Sequence, residues 1–255
     1  MSTMIYHAGG IGDFITTLPA IQLWNKYHPG QTRLFFGRLH CGILAQDSGY
    51  IDRVLDIDSS RSCKQFSPGY PGQVDSLFPG LSSALLFTGT DSPFVENLVR
   101  HGGIQVICLP PFPQKSTSKY SFHYESLCTA FNEIASFANR SFLKPSKPNI
   151  RKALNLMDGH GSTIALHAGS GSALKNWPLV RFMNIAEDLS AKGYSVFFIA
   201  GPDDPFPELE SAHVIFNESL PFLAAFLSLC TLFIGNDSGI AHLAAAAGCP
   251  SLVIF

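Results

Sequence analysis

Phe233-Ile-Gly-Asn-Asp-Ser-Gly-Ile-Ala-His-Leu-Ala-Ala-Ala-Ala-Gly248 runs from an apolar stretch through a small polar turn into an alanine-rich helix closed by glycine. This strand–turn–helix order brings the free backbone N–H groups of a helix N-terminus to a sheet edge, which suits an anionic ligand. The same order occurs upstream at His167-Ala-Gly-Ser-Gly-Ser-Ala-Leu-Lys-Asn-Trp-Pro178, and a third example opens the chain at Gly9-Gly-Ile-Gly-Asp13.

Around these stretches, short β-rich runs alternate with helical patterns, the signature of α/β architecture with parallel sheets. In the first half the runs Met4–Ala8, Arg33–Gly37, Arg53–Ile57, Ala84–Thr88 and Ile104–Leu109 read as strands. Ile15, Leu18, Ile21 and Trp24 recur at helical spacing after Gly12, and His28-Pro-Gly30 ends that helix. Pro19 has no N–H to give, so the helix is expected to kink or restart there. Pro110–Lys119 reads as a loop and Phe122–Phe137 as a helix, and Lys144-Pro-Ser-Lys-Pro148 has the composition of a stiff linker. A fresh alternation follows. Strands are expected at Thr163–His167, Ser195–Ala200, His213–Phe216, Thr231–Gly235 and Ser251–Phe255, with helices at Leu179–Lys192, Pro221–Leu229 and Ile240–Ala247. The expected domains are therefore 1–150 and 151–255, both Rossmann-like, facing each other across a cleft that would hold a nucleotide.

Composition narrows the function. The 255 residues are 46% hydrophobic and 14% charged, with a formal charge of −2, so the chain is globular and has no basic run for nucleic-acid phosphates. No stretch approaches the roughly 20 apolar residues of a membrane span, and the N-terminus does not read as a secretory signal. Six scattered cysteines, none in a C-x-x-C pair, read as reduced core thiols rather than disulfides or a zinc site.

The chemistry concentrates in the three turns. Gly169 to Lys175 leaves backbone N–H groups unobstructed for phosphate oxygens, and Lys175 adds a flexible point charge. A plain Gly/Ser loop with a solvated lysine would look the same. Asp237 and Ser238 could accept hydrogen bonds from a ligand or simply cap the helix, with His242 about one turn further on. Asp13 is likewise a natural cap, and the helix dipole favours its charged form, making it a weaker base unless a closing site desolvates it. Gly9-Gly-Ile-Gly12 lacks the spacing of a dinucleotide fingerprint. Asp56 and Asp58 form an Asp-x-Asp pair but read as surface carboxylates.

Taken in order, Gly9-Gly-Ile-Gly-Asp-Phe-Ile-Thr-Thr-Leu-Pro19, His167-Ala-Gly-Ser-Gly-Ser172, Lys175-Asn-Trp-Pro178 and Gly235–Ala247 resemble glycosyltransferase family 9, the ADP-heptose lipopolysaccharide heptosyltransferases. The resemblance implies a GT-B fold with an N-terminal acceptor domain and a C-terminal nucleotide-sugar donor domain. It implies Asp13 as the catalytic base of an inverting transfer. Ser170, Gly171 and Lys175 would meet the diphosphate, while Asp237, Ser238, Gly239 and His242 would line the donor site. Asp203 and Asp204 fall near an acidic family position that contacts the nucleoside, and Gly10, Gly12, Lys115 and Lys119 lie on the acceptor side. No cofactor or metal is implied beyond the substrate, a nucleotide-diphosphate sugar such as ADP-heptose. The implied acceptor is an anionic glycan or glycolipid, reached from the cytoplasm by loose peripheral contact with the inner membrane. The chain stops at Ser251-Leu-Val-Ile-Phe255, where family members continue through a Gly-Pro-Thr-like loop, so a shortened member or a fragment is expected. Two other functions stay open: a non-catalytic sugar-nucleotide or glycan-binding relic, and a GT-B epimerase or hydrolase that needs no acceptor.

Overall fold

The structure, a computed structural model, describes every residue except 69–73, 113–118, 134–141 and 160, and every side chain among these except Asp75, Lys119, Tyr120 and Ala173. The chain divides into two compact units, Met1–Asn139 and Arg140–Phe255. Each is built on a five-stranded parallel sheet.

In the first unit the strands are β1 (Ser2–His7), β2 (Thr32–Gly37), β3 (Arg53–Asp56), β4 (Leu81–Phe87) and β5 (Gln105–Leu109), in the order β3-β2-β1-β4-β5. The helices are α1 (Ile11–Tyr27), α2 (Leu39–Asp47), α3 (Val74–Leu77), α4 (Pro93–His101) and α5 (Lys119–Ala130). Parallel strands buried on both faces read as near-continuous apolar runs, and β1 is buried along its whole length. One face packs Met4, Tyr6, Leu34, Phe36 and Leu86 against Phe78, Phe94 and Leu98. On α1, Trp24 is fully buried, and its indole N–H donates to Thr3 Oγ1 at 2.8 Å, satisfying a donor that would otherwise be stranded.

Three local expectations change here. The first helix starts at Ile11, so Gly12 lies in its first turn, and it continues through Pro19 as one element. The hydroxyls of Thr16 and Thr17 donate to the Asp13 and Phe14 carbonyls at 2.6 and 2.7 Å, within the turns that precede the proline. The helix expected over Phe122–Phe137 begins earlier, at Lys119. It ends at Ala130 and is followed by Asn132 in the left-handed region (φ 54°). Residues 134–137 of that expectation, and 113–118 of the expected loop, lie outside the described residues.

The second unit carries β6 (Thr163–His167), β7 (Ser195–Ala200), β8 (His213–Phe216), β9 (Leu232–Asn236) and β10 (Ser251–Ile254), in the order β10-β9-β6-β7-β8. Its helices are α6 (Lys147–Leu156), α7 (Leu179–Ala191), α8 (Leu220–Leu229) and α9 (Gly239–Ala246). The segment read as a linker is part of this unit. The Phe142 and Leu143 N–H groups both donate to Ala246 O at 3.0 Å, and Pro148 sits in the first turn of α6, where its missing N–H costs no helical bond. The division between units thus falls at Asn139/Arg140, and α6 packs against α8. The core joins Ile164, Leu166, Val196, Phe198 and Ile234 to Phe182 and Ala186 of α7.

The order of strands fixes where a ligand can sit. In the second unit β7 and β8 extend the sheet on one side of β6, while β9 and β10 extend it on the other. Loops leaving β6 and β9 therefore diverge to opposite faces, opening a crevice at their carboxyl ends. In the first unit the equivalent point lies between β1 and β4.

Candidate donor site and general base

At the second switch point, His167 of β6 pairs in register with Gly235 of β9, so the two glycine-rich turns leave the sheet side by side. A Cβ on Gly235 would meet the His167 carbonyl at 3.0 Å and the Phe233 ring at 2.7 Å, so only glycine lets the strands close up there. The next residue, Asn236, is fully buried and ties the turns together. Its side-chain N–H donates to Ala168 O at 2.8 Å, and its Oδ1 accepts from the Trp177 N–H at 3.0 Å. Trp177 in turn lies edge-on to Phe182 with ring centroids 5.3 Å apart, anchoring the far end of the loop to the core.

This stitching brings Lys175 to Asp237, with Nζ 3.0 Å from Oδ2. Side-chain exposures of 58% and 34% make the pair a surface interaction, worth about 0.2–1 kcal/mol. Such a pair orients the ammonium but is cheap to exchange for a phosphate. Ser238 uses its side chain as the N-cap of α9, accepting from the Ala241 N–H at 3.2 Å. Gly239 follows as the first residue of the helix, and the earliest N–H groups of α9 have no helical acceptor. His242 lies one turn further, half-buried, its N–H donating to Ser238 O at 3.3 Å.

The loop after β6 is shaped by its own polar groups. Ser170 Oγ sits 2.7 Å from Ser172 O and 2.6 Å from Asn176 Oδ1, and accepts from the Ser172 N–H at 3.2 Å. Ser170 therefore holds the turn's shape. A Cβ at Gly171 would meet nothing within 4 Å, so the backbone there faces open space. Gly169 is the opposite case: a Cβ would lie 1.8 Å from Asp204 Oδ1. Asp204 accepts from the Gly201 N–H at 2.8 Å and stands 4.0 Å from His167 Nδ1, so its carboxylate organises the β7 turn. Asp203 beside it is exposed. His167 is buried, with Nδ1 2.9 Å from the Ile199 carbonyl, and burial holds its pKa below the ordinary 6.5 despite that hydrogen bond and Asp204.

In the first unit Gly10 is the extended N-cap of α1, Phe14 N–H donates to its carbonyl at 2.9 Å, and Asp13 occupies the first helical turn. A Cβ on Gly9 would come within 2.9 Å of the His7 ring and 3.2 Å of Asp13 Cβ, so the turn needs glycine to bring strand and helix this close. Lys115 lies outside the described residues, and Lys119 opens α5. Asp56 Oδ1 accepts from the Asp58 N–H at 3.1 Å, a local turn within the pair. Among the described residues no three His, Cys, Asp or Glu side chains gather as a metal site, and no helix is long and apolar enough to cross a membrane. The six cysteines are free, with burial pushing Cys41 up to about 12 and Cys249 to about 11.

Sequence reasoning gave no role to Asn236 and read Gly169 only as backbone access. The signal for Asn236 was present: an amide at the end of an apolar strand is costly unless both its ends are bonded.

Two doubly wound parallel-sheet units, with glycine turns and helix N-termini at their switch points, define the GT-B class. Residues 79–255 match the family model for glycosyltransferase family 9 (heptosyltransferase), and the chain belongs to that family of glycosyltransferases. Solved structures agree on the fold. A family 9 glycosyl transferase from Veillonella parvula superposes with a TM-score of 0.80 at 16% identity, covering 99% of this chain and 79% of that one. E. coli ADP-heptose lps heptosyltransferase II gives 0.74 at 15%, covering 99% and 84%. E. coli heptosyltransferase WaaC with ADP gives 0.73 at 14%, covering 99% and 87%. No curated protein matches the sequence.

Proposed function

We propose that this glycosyltransferase moves a heptose from an ADP-linked donor to an anionic glycan or glycolipid acceptor, with inversion at the anomeric carbon. The observation that carries the donor half of the reading is Lys175 held against Asp237 at the switch point, beside the uncovered backbone of Gly171. The ADP-bound relative with the same fold supports the choice of nucleotide. In this reading an acceptor hydroxyl oxygen attacks the anomeric carbon, and the bond from that carbon to the diphosphate breaks. The electron pair stays on the departing phosphate oxygen and the hydroxyl proton passes to Asp13. Lys175 and the N-terminal N–H groups of α9 stabilise the negative charge that grows on the leaving group. Asp237 orients the lysine and offers its second oxygen to a sugar hydroxyl.

The test is calorimetric titration with ADP-heptose, ADP and UDP sugars, followed by transfer assays. Lys175→Ala is expected to weaken diphosphate binding at least tenfold on the scale of a lost charge-assisted contact, roughly 1.5–3 kcal/mol, while costing the fold no more than the about 0.2–1 kcal/mol of its surface pair. Asp13→Asn should bind donor normally and transfer at least 100-fold more slowly, on the scale of general-base catalysis. Binding of none of these nucleotides would overturn the donor reading. Undiminished transfer by Asp13→Asn would remove the assigned base.

A further inference from the structure

Lys175 and Asp237 meet at 3.0 Å, but the two partners are held very differently. Asp237 stands on a fixed backbone. Asn236 before it is fully buried and bonded at both ends of its amide, the Asp237 N–H donates to Ile254 O at 3.1 Å, and Ser238 after it caps α9. A short side chain on such a backbone keeps its carboxylate at the mouth of the turn. Lys175 reaches it on a four-carbon stem, with its side chain 58% exposed, so the ammonium can swing to another anion at little cost.

When a diphosphate draws the ammonium away, the carboxylate stays behind as a negative charge beside a negative ligand. Asp237 Oδ1 accepts from no group among the described residues, and Oδ2 must share or give up the lysine. The consequence depends on what the terminal phosphate carries. While a sugar is esterified to it, that phosphate holds one negative charge, and the sugar can donate a hydroxyl to the carboxylate in a charge-assisted hydrogen bond. After transfer the freed oxygen ionises with a pKa of about 6, so at neutral pH the product gains close to one further charge. It has also lost the hydroxyl donors. Like charges a few ångströms apart then repel, and more strongly than they would in bulk water.

We propose that Asp237 sets the preference of the site for sugar-bearing donor over sugar-free product. Its carboxylate holds the donor through a hydroxyl and disfavours the nucleoside diphosphate left after transfer. The same charge therefore hastens product departure, a step that limits turnover in many enzymes. This deepens the donor reading above and rests on it.

The experiment is calorimetry with ADP-heptose, ADP and inorganic pyrophosphate on the wild type, Asp237→Asn and Asp237→Ala. Asparagine removes the charge and keeps an amide oxygen for the lysine; alanine removes both and guards against an effect peculiar to the amide. In Asp237→Asn, ADP and pyrophosphate are expected to tighten by about three- to tenfold, while ADP-heptose tightens less or weakens. Asp237→Ala should move the ratio of ADP to ADP-heptose affinity in the same direction. In transfer assays ADP should become a correspondingly stronger inhibitor of the asparagine variant, measured against the KM for donor. An unchanged ratio in both variants, or ADP and pyrophosphate weakening as much as ADP-heptose, would overturn the proposal and leave Asp237 as a support for the lysine alone. A wild type that binds neither ADP nor pyrophosphate would instead defeat the donor reading, and this inference with it.

Discussion

Gly169 and Asp204 belong to loops from different strands, yet the carboxylate occupies the space a side chain at Gly169 would need. Gly169→Ala should therefore cost about 1–3 kcal/mol, the scale of an overpacked contact. Asp204→Ala should cost about 1 kcal/mol, the hydrogen bond to the Gly201 N–H. The double variant is expected to be no less stable than Asp204→Ala alone in urea titrations, because the clash disappears with its partner. Additive losses would mean that the glycine serves something else. Asn236 allows a sharper substitution. Asn236→Asp keeps the acceptor for Trp177 but sets a carboxylate against the Ala168 carbonyl in a fully buried position. It should destabilise the second unit at least as much as Asn236→Ala, by about 1–3 kcal/mol at neutral pH. The task of Gly169 could not be read from its neighbours in the chain, since a carboxylate from another strand's loop sets it; for Asn236 the neighbours signal that the amide must be bonded, but not to which atoms.

At the scale of the element, α9 shows how a cap and a binding site share one turn. Ser238→Ala removes the N-cap and should lower stability by about 1 kcal/mol. Ser238→Asp restores the cap, and melting should recover, while diphosphate affinity should fall because a carboxylate now faces the anion. Recovery of both would show that the anion does not approach this helix end. The helix itself was legible from its alanine run and Gly248, as was the strand before it, because apolar period and turn chemistry are local properties. Two prolines show the limit of that local signal. Pro19 was read as a kink or a restart, and the helix does not restart there; Pro148, read as part of a linker, lies in the first turn of α6. Proline states which backbone donor is missing, and the surrounding packing decides whether that donor was needed.

For the molecule as a whole, burial of neutral His167 links the second unit to pH. Its folded pKa is lowered, chiefly by desolvation, so below the ordinary value of 6.5 the unfolded chain takes up more protons than the folded one. Stability should thus fall as pH drops through and below that value, a trend readable as a lower melting temperature between pH 7 and pH 5. His167→Asn, whose amide can donate to Ile199 O in place of Nδ1–H, should flatten that trend; an unchanged slope would assign it to other groups. The α/β class, its two successive alternations, the three glycine turns and the family likeness were all carried by local order along the chain: strand, turn and helix signals need only near neighbours. What required the folded molecule was the strand order. It sets β6 beside β9, joins Lys175 to Asp237, lodges Asp204 over Gly169 and leaves Phe206 against Phe216. Those contacts link residues far apart in sequence, and side-chain period along a strand says which face is buried but not which strand comes to lie alongside.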